Sequence, residues 1–122
     1  MGVKPLFWVA SSKKDLKSLP GAVQDTFGFD LHLAQTGEKH DDAKPLKGFG
    51  GASMLEVVEN HDGDAYRAVY TIRFTEVVYV LHVFQKKSKS GSATPKHDID
   101  LIKARLKLAE EDYTQWQKQK RP

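Results

Sequence analysis

The chain has 122 residues, of which 39% are hydrophobic and 29% charged, so it suits one soluble globular domain covering residues 1–122. This composition excludes a disordered chain and a membrane-spanning protein. No cysteine is present, which excludes disulfide frameworks, cysteine-bound metals and thiol nucleophiles. Residues 1–8 are too weakly apolar for a signal peptide, so we expect a cytoplasmic protein that does not bind a membrane.

Positive charge is concentrated in one segment of the chain. The net charge is +3, but residues 1–85 hold nine Lys or Arg against eleven Asp or Glu, whereas residues 86–107 hold seven against two. A concentrated basic segment is typical of proteins that bind a polyanion such as nucleic acid. A solvated helix face behind a basic turn is the alternative that the charges leave open.

The first third of the sequence predicts a strand and a helical hairpin. Residues 5–10 (PLFWVA) have the pattern of a short buried strand, and Ser11-Ser12 suits a helix N-cap. Residues 12–19 have the composition of a short helix. After Pro20-Gly21, apolar residues recur at helical spacing up to Gly37. The polar, glycine-rich residues 37–53 predict a long loop.

From Met54 the pattern predicts a three-stranded antiparallel meander formed by MLEVVE, YRAVYTIRF and VVYVLHVF. In the second strand, alternation predicts one core-facing set, namely Tyr66, Ala68, Tyr70, Ile72 and Phe74. Arg67 and Arg73 fall on the other face, where we expect both to reach solvent. The third strand is apolar almost throughout, which predicts a central strand with His82 as a hydrogen-bonded core residue.

A long amphipathic helix is predicted to close the chain. Thr94 is a suitable N-cap with Pro95 at the first helical position, and apolar residues follow at spacings of three and four up to Trp116. We expect this helix to pack on the protein's own sheet and residues 118–122 to fray. The predicted fold is therefore α+β, with an N-terminal strand and helical hairpin packed on an antiparallel sheet and a long C-terminal helix.

The sequence lacks the strong catalytic motifs, namely nucleotide-binding glycine loops, a nucleophile elbow and paired zinc histidines. One cluster could suggest a metal, but we interpret it as a solvated loop: Glu38, His40, Asp41 and Asp42. We therefore predict no metal and no cofactor. A set of cations remains: Lys44, Lys47, Arg67, Arg73, Lys86, Lys87 and Lys89.

Such cations can support RNA cleavage without metal. The ribose 2′-hydroxyl attacks its own neighbouring phosphate, so the protein has only to stabilise the developing charge and move protons. Arginine suits the first task because its planar fork matches phosphate oxygens. His97, or less favourably Glu56, could accept or donate the proton.

Several motifs together resemble a known toxin family. They are KPLKGFG (44–50), the strand ending in Glu56, AYRAVY (65–70), LHVFQKKS (81–88), and Thr94-Pro95 with Ile99 and Arg105. Over residues 42–106 their order and spacing resemble the phage-derived, HigB-like branch of the RelE/ParE toxin superfamily. The resemblance implies a RelE-like fold and the toxin of a type II toxin–antitoxin pair. Such a toxin is typically an endoribonuclease that cuts mRNA on the ribosome and is neutralised by a helix-turn-helix antitoxin.

The resemblance also implies roles for individual residues. Arg67 would contact the scissile phosphate, Lys86 and Lys87 would form a basic pair after the last strand, and Lys47 would hold the RNA backbone. The predicted catalytic residues are thus Arg67, Lys86, Lys87 and His97. The predicted RNA-binding residues are Lys44, Lys47, Arg73 and Lys89.

Two departures from the family pattern bear on these assignments. Val57-Val58 stands where the family often has Leu-Arg, and residues 90–93 lengthen the segment before His97. Two alternatives stay open: a non-catalytic inhibitor of DNA gyrase with the same fold, and an inactive phage-derived accessory protein. Retention of Arg67, Lys86 and Lys87 favours the nuclease. The sequence leaves the RNA sequence preference and the oligomeric state open.

Overall fold

The computed structural model describes residues 2–86 and 94–120 of the chain. Apart from one short strand within the predicted loop, its elements follow the order expected from the sequence. In chain order they are β1 (Leu6–Trp8), α1 (Ser12–Lys17), α2 (Gly21–Gln35), β2 (Lys44–Pro45), β3 (Met54–His61), β4 (Asp64–Thr71), β5 (Val78–Lys86) and α3 (Lys96–Lys120).

The strands form one sheet in the order β1-β5-β4-β3-β2. The predicted antiparallel meander is confirmed as β3, β4 and β5. The first strand pairs parallel to β5, so the sheet is mixed rather than wholly antiparallel. A parallel neighbour requires a crossover between its two strands, and α1 and α2 lie in that stretch of chain.

The β3–β4 hairpin is closed by a two-residue turn. Asp62 and Gly63 have φ values of 51° and 84°, both in the left-handed region. Two successive left-handed residues give a turn whose twist matches that of the flanking strands, and Asp-Gly is a favoured pair for it. The turn therefore fixes the register in which His61 faces Asp64 and Glu56 faces Val69.

The sheet has two covered faces, which we call the α2 face and the α3 face. On the α2 face, alternate strand side chains pack with Val23, Phe27 and Leu31 of α2. On the α3 face, the intervening side chains pack with Ile102, Leu106 and Ala109 of α3. Both faces of β5 are buried, which confirms that it is a central strand.

The second meander strand is shorter than predicted, because β4 ends at Thr71. The Thr71 hydroxyl donates to the Ser53 carbonyl at 3.0 Å and accepts from the Arg73 backbone N–H at 3.1 Å, so the chain turns there. The prediction for Ile72 and Phe74 was therefore wrong. Ile72 is 38% exposed, and Phe74 packs with the core of the α3 face.

Two further expectations are refined. The loop predicted over residues 37–53 contains the two-residue strand β2, whose Lys44 lies opposite Glu56 of β3. The long last helix is confirmed and runs to Lys120, while residues 121 and 122 lie outside the described part of the chain. None of the helices in residues 2–86 and 94–120 is long and apolar enough to cross a membrane.

Candidate functional site

Arg67 lies on the face predicted for it but not in the predicted environment. Strand alternation directs its side chain away from Tyr66 and Ala68 and onto the α3 face. That face is covered rather than open, and Arg67 is only 4% exposed. The expectation that Arg67 reaches solvent was therefore wrong. It failed because strand alternation identifies a face but cannot show whether a helix covers it.

The Arg67 guanidinium belongs to a three-residue cluster, which we call the Glu56 cluster. Its Nη1 donates to Glu56 Oε2 at 3.0 Å and to Thr94 Oγ1 at 2.9 Å. The Thr94 hydroxyl in turn donates to the same Glu56 oxygen at 2.5 Å. Glu56 and Arg67 sit diagonally on neighbouring antiparallel strands, where side chains on one face are within reach of each other. Thr94 approaches from the segment before α3.

Two of the predicted cations flank this cluster. Lys44 on β2 lies directly opposite Glu56, so both side chains are on the same face, and Lys44 is exposed. Lys86 follows Phe84 on that face of β5, and Phe84 lies opposite Arg67. Lys86 is 8% exposed and is therefore not the open surface cation that its position in a basic segment suggests. Across the strand order, Arg67 on β4 and Glu56 on β3 therefore lie between Lys86 on β5 and Lys44 on β2.

The other predicted site residues are not brought into the Glu56 cluster. Lys47 is exposed shortly after β2, and Arg73 is exposed beyond the end of β4, so Arg73 does not continue the Arg67 row. His97 is exposed in the first turn of α3, and none of the contacts described for residues 2–86 and 94–120 joins it to Arg67 or Glu56. Lys87 and Lys89 lie outside the described residues.

A second polar network lies beside the Glu56 cluster on the α3 face. His82 Nε2 is 2.8 Å from Asp98 Oδ1, and Arg105 Nη1 is 3.4 Å from His82 Nδ1. Arg105 also donates to the Leu81 carbonyl at 2.9 Å and to Ser11 Oγ at 3.1 Å. His82 is 6% exposed, so the prediction of a hydrogen-bonded core histidine is confirmed.

This environment keeps His82 neutral. Burial lowers the pKa of His82, its hydrogen bond to the Asp98 carboxylate raises it, and the charge of Arg105 lowers it again, with a net lowering. A neutral ring with its proton on Nε2 donates to Asp98 and accepts from Arg105, since arginine can only donate. The contacts of His82 with Asp98 and Arg105 were not predicted from the sequence, because both partners lie on α3, far along the chain.

The N-terminal end of α3 is therefore attached to the sheet at two successive points. Thr94 bonds to Arg67 and Glu56, and Asp98, four residues later, bonds to His82. The segment just before α3 covers the Glu56 cluster, and the first turn of α3 covers His82. Thr94 was predicted as an N-cap, but its hydroxyl is directed to the sheet.

Other polar groups offer less chemistry. His40, in the loop of residues 38–42, has its Nδ1 3.8 Å from an Asp30 oxygen on α2 and 3.6 Å from an Asp42 oxygen. No group of three or more potential ligands is arranged to hold a metal among residues 2–86 and 94–120. A groove of about 730 Å³ lies between β1 and the C-terminal half of α3, lined by Phe7, Trp116 and their neighbours, and contains no member of the Glu56 cluster.

Comparison with known proteins places the chain in a family. The family model described as "Phage derived protein Gp49-like (DUF891)" matches residues 14–107. No curated protein sequence matches the chain. The solved structures it resembles include a mutant of the E. coli toxin RelE in the free state, with a TM-score of 0.58 and 15% identity over 88% of this chain and 98% of that chain.

Two further structures are similar. The isolated E. coli RelE toxin gives a TM-score of 0.55 and 20% identity over 70% of this chain and 88% of that one. The RelBE2 toxin–antitoxin complex from Mycobacterium tuberculosis gives a TM-score of 0.47 and 19% identity over 70% of this chain and 100% of that one. The first two likenesses confirm the RelE-like fold, whereas the HigB-like branch stays a prediction. Because the family model covers most of its length, the chain belongs to the phage-derived Gp49-like family and has the fold of the RelE toxins.

Proposed function

We propose that the protein is the toxin of a type II toxin–antitoxin system and cleaves mRNA on the ribosome without a metal. The observation that carries the proposal is the Glu56–Arg67 pair, in which a carboxylate and a guanidinium lie 3.0 Å apart on one sheet face. The family and the RelE-like fold support the toxin assignment. The proposed location is the cytoplasm, where ribosomes and mRNA are available.

The pair supplies the two functions that RNA transesterification requires. Glu56 accepts the proton of the ribose 2′-hydroxyl, whose oxygen then forms a bond to the adjacent phosphorus. Arg67 stabilises the negative charge that accumulates on the phosphate oxygens. The bond from phosphorus to the 5′-oxygen breaks, and that oxygen takes a proton. The products are a 2′,3′-cyclic phosphate and a 5′-hydroxyl.

Glu56 replaces His97 as the preferred proton acceptor in this proposal, because Glu56 contacts Arg67. His97 remains the candidate donor to the leaving 5′-oxygen, from the first turn of α3. Lys86 and Lys87 are proposed to act beside Arg67 on the scissile phosphate. Lys44, Lys47, Arg73 and Lys89 are proposed to bind the flanking RNA backbone through its phosphates.

A helix-turn-helix antitoxin is the proposed protein partner. A toxin must be held inactive in its own cell, and a stable complex of this kind buries about 1,200 to 2,000 Å². Co-expression with the neighbouring reading frame should therefore yield one complex. Migration of the two purified proteins as separate species at micromolar concentration would contradict the toxin–antitoxin assignment.

Cleavage of ribosome-bound mRNA in excess chelator tests the proposed chemistry. We expect cleavage to continue and to leave a 2′,3′-cyclic phosphate or its 3′-phosphate product. Lys44→Gln should weaken RNA binding, whereas Lys13→Gln, an exposed lysine on α1, serves as the matched control with little effect. Loss of activity in chelator with recovery in magnesium would overturn the mechanism.

One observation favours a second candidate, a non-catalytic inhibitor of DNA gyrase. Arg67 is buried and hydrogen-bonded, which is also what a purely structural ion pair would show. A supercoiling assay with purified gyrase separates the two functions. Inhibition of supercoiling by a protein that leaves ribosome-bound mRNA intact would establish the inhibitor, and inactivity in both assays would indicate an accessory protein.

A further inference from the structure

The Thr94 hydroxyl has an unusual position for a residue that precedes a helix. It donates to Glu56 Oε2 at 2.5 Å and accepts from Arg67 Nη1 at 2.9 Å, so it lies between the carboxylate and the guanidinium. A threonine at a helix start ordinarily turns its oxygen toward the backbone N–H groups of the first turn. Here it serves the Glu56 cluster instead.

These two hydrogen bonds are the ones that a ribose 2′-hydroxyl would need in the proposed reaction. The attacking hydroxyl must donate to the general base and must lie beside the cation that binds the phosphate. We propose that Thr94 is a stand-in for the RNA 2′-hydroxyl, which has to displace the threonine hydroxyl from Glu56 and Arg67 before cleavage. This inference rests on the proposed ribonuclease function.

The proposal makes Thr94 a specificity-determining residue. An RNA with a 2′-hydroxyl at the cleavage position forms new hydrogen bonds to Glu56 and Arg67 in place of the two that Thr94 loses. An RNA with 2′-deoxyribose at that position leaves the threonine hydroxyl in place. In the wild-type protein, the gain from the RNA hydroxyl is offset by the loss of the threonine contacts. Removal of the threonine hydroxyl should therefore strengthen binding of the ribose strand and leave binding of the deoxy strand unchanged.

The contact between Asp98 and His82 confines the required movement to the segment around Thr94. Asp98 Oδ1 lies 2.8 Å from His82 Nε2, and Ile102 and Leu106 are buried against the sheet. The body of α3 therefore stays packed while the Thr94 side chain leaves the cluster. The proposed exchange is a rotamer change of the Thr94 side chain with a small shift of its backbone.

Single-turnover cleavage of ribosome-bound mRNA by Thr94→Val and Thr94→Ser tests the proposal. Valine keeps the shape of threonine without the hydroxyl, and serine keeps the hydroxyl. For Thr94→Val we expect the half-saturating concentration to fall about fivefold to tenfold, because the two competing hydrogen bonds of threonine are lost, with the maximal rate within about twofold of wild type. Thr94→Ser should match wild type.

A competing mRNA with 2′-deoxyribose at the cleavage position supplies the second readout. Its inhibition constant should be the same for wild type and Thr94→Val, so the preference for ribose over deoxyribose rises only in the valine variant. Thermal unfolding checks that each variant is folded, and Thr94→Ala replaces the valine variant if that one is not.

The outcomes separate this inference from the proposed function. Cleavage by wild type with an unchanged or raised half-saturating concentration for Thr94→Val overturns the stand-in role alone. A fall in the maximal rate at constant half-saturation also overturns it, because Thr94 would then act in the reaction itself. Failure of the wild-type protein to cleave RNA under any condition overturns the proposed function, and this inference with it.

Discussion

The two faces of the sheet are built from the same strands but differ in how their buried polar groups are hydrogen-bonded. On the α3 face, Glu56, Arg67 and Thr94 are hydrogen-bonded to one another, and His82 is hydrogen-bonded to Asp98. On the α2 face, Asp30 Oδ1 and the Tyr70 hydroxyl are buried without a hydrogen-bond partner among the described residues. Paired charges mark the α3 face as the candidate site, whereas the α2 face derives its stability from apolar packing.

The burial of Asp30 and Tyr70 also changes their acidity. Burial raises the pKa of Asp30, opposed by the nearby His40. Burial and the charge of Asp30 raise the pKa of Tyr70 to about 12. The α2 face therefore contains a carboxylate whose charge is poorly compensated. The α3 face contains a carboxylate that is held by a guanidinium and a hydroxyl.

The largest effect is expected for Arg67→Ala on the α3 face. The cleavage rate should fall about a hundredfold to a thousandfold, as for the loss of one preorganised donor. Because Arg67 is buried, the free energy of unfolding should also fall, by about 3 to 5 kcal/mol, since Glu56 loses its charge partner. Single-turnover kinetics and denaturant unfolding measure the two effects, and Lys13→Ala, which removes an exposed cation outside the proposed site, is the control. Full cleavage activity with a lowered stability would make Arg67 purely structural.

A matched core truncation on the α2 face should lower stability alone. Phe27 is fully buried among Val23, Leu31 and the strand residues. Phe27→Ala should reduce the free energy of unfolding by about 3 to 5 kcal/mol through lost burial and the cavity that remains. Cleavage rates measured well below the unfolding midpoint should stay close to wild type. A rate as low as that of Arg67→Ala would show that the two faces are not functionally separate.

Stability should depend on pH through His82. The unfolded histidine takes up a proton near its ordinary pKa of 6.5, whereas the folded pKa of His82 is lowered. As the pH falls below about 6.5, the unfolded state binds more protons than the folded state. The contribution of neutral His82 to the free energy of unfolding is therefore complete above about pH 6.5 and decreases as the pH falls. Denaturant unfolding from about pH 8 to about pH 5 should show this loss in wild type and in the control His97→Gln, which removes an exposed histidine. The same slope in His82→Gln would exclude His82 as its source.

The smallest effect is expected for Asp30→Asn, which should stabilise the protein. Asparagine keeps the shape of the side chain and removes a buried charge, so the free energy of unfolding at neutral pH should rise by about 0.5 to 2 kcal/mol. Because the pKa of Asp30 is raised, the folded state holds its proton more tightly than the unfolded state. The gain should therefore shrink as the pH falls and the carboxyl becomes protonated. A loss of stability at neutral pH would show that the Asp30 charge is compensated.

Local patterns predicted most of the fold. The apolar spacing of Val23, Phe27 and Leu31 predicted α2, and the Asp62-Gly63 turn lies between the two runs that form β3 and β4. The end of β4 could not be predicted, because it depends on the contact of Thr71 with Ser53, eighteen residues away. Local sequence does not contain that information.

The candidate site was predicted only in part. Alternation put Arg67 on the correct face, and Glu56 was considered as a proton acceptor. The contacts of Thr94 with Arg67 and Glu56 were not predicted, because its Thr-Pro context indicates a helix start and Glu56 is 38 residues away. The position of Lys44 beside Glu56 likewise depends on β2, a two-residue strand inside a segment that has the composition of a loop. Long-range pairing, rather than local propensity, assembles the cluster.

The most direct test of the central claim compares two carboxylates on opposite faces of the sheet. Glu56→Gln and Asp30→Asn each remove one negative charge at nearly constant shape. If the α3 face contains the proton acceptor for RNA cleavage, Glu56→Gln should lower the single-turnover rate on ribosome-bound mRNA by about a hundredfold or more, and Asp30→Asn should leave it unchanged. Equal rates for Glu56→Gln and wild type, with both proteins folded, would contradict the claim that Glu56 is the proton acceptor in RNA cleavage.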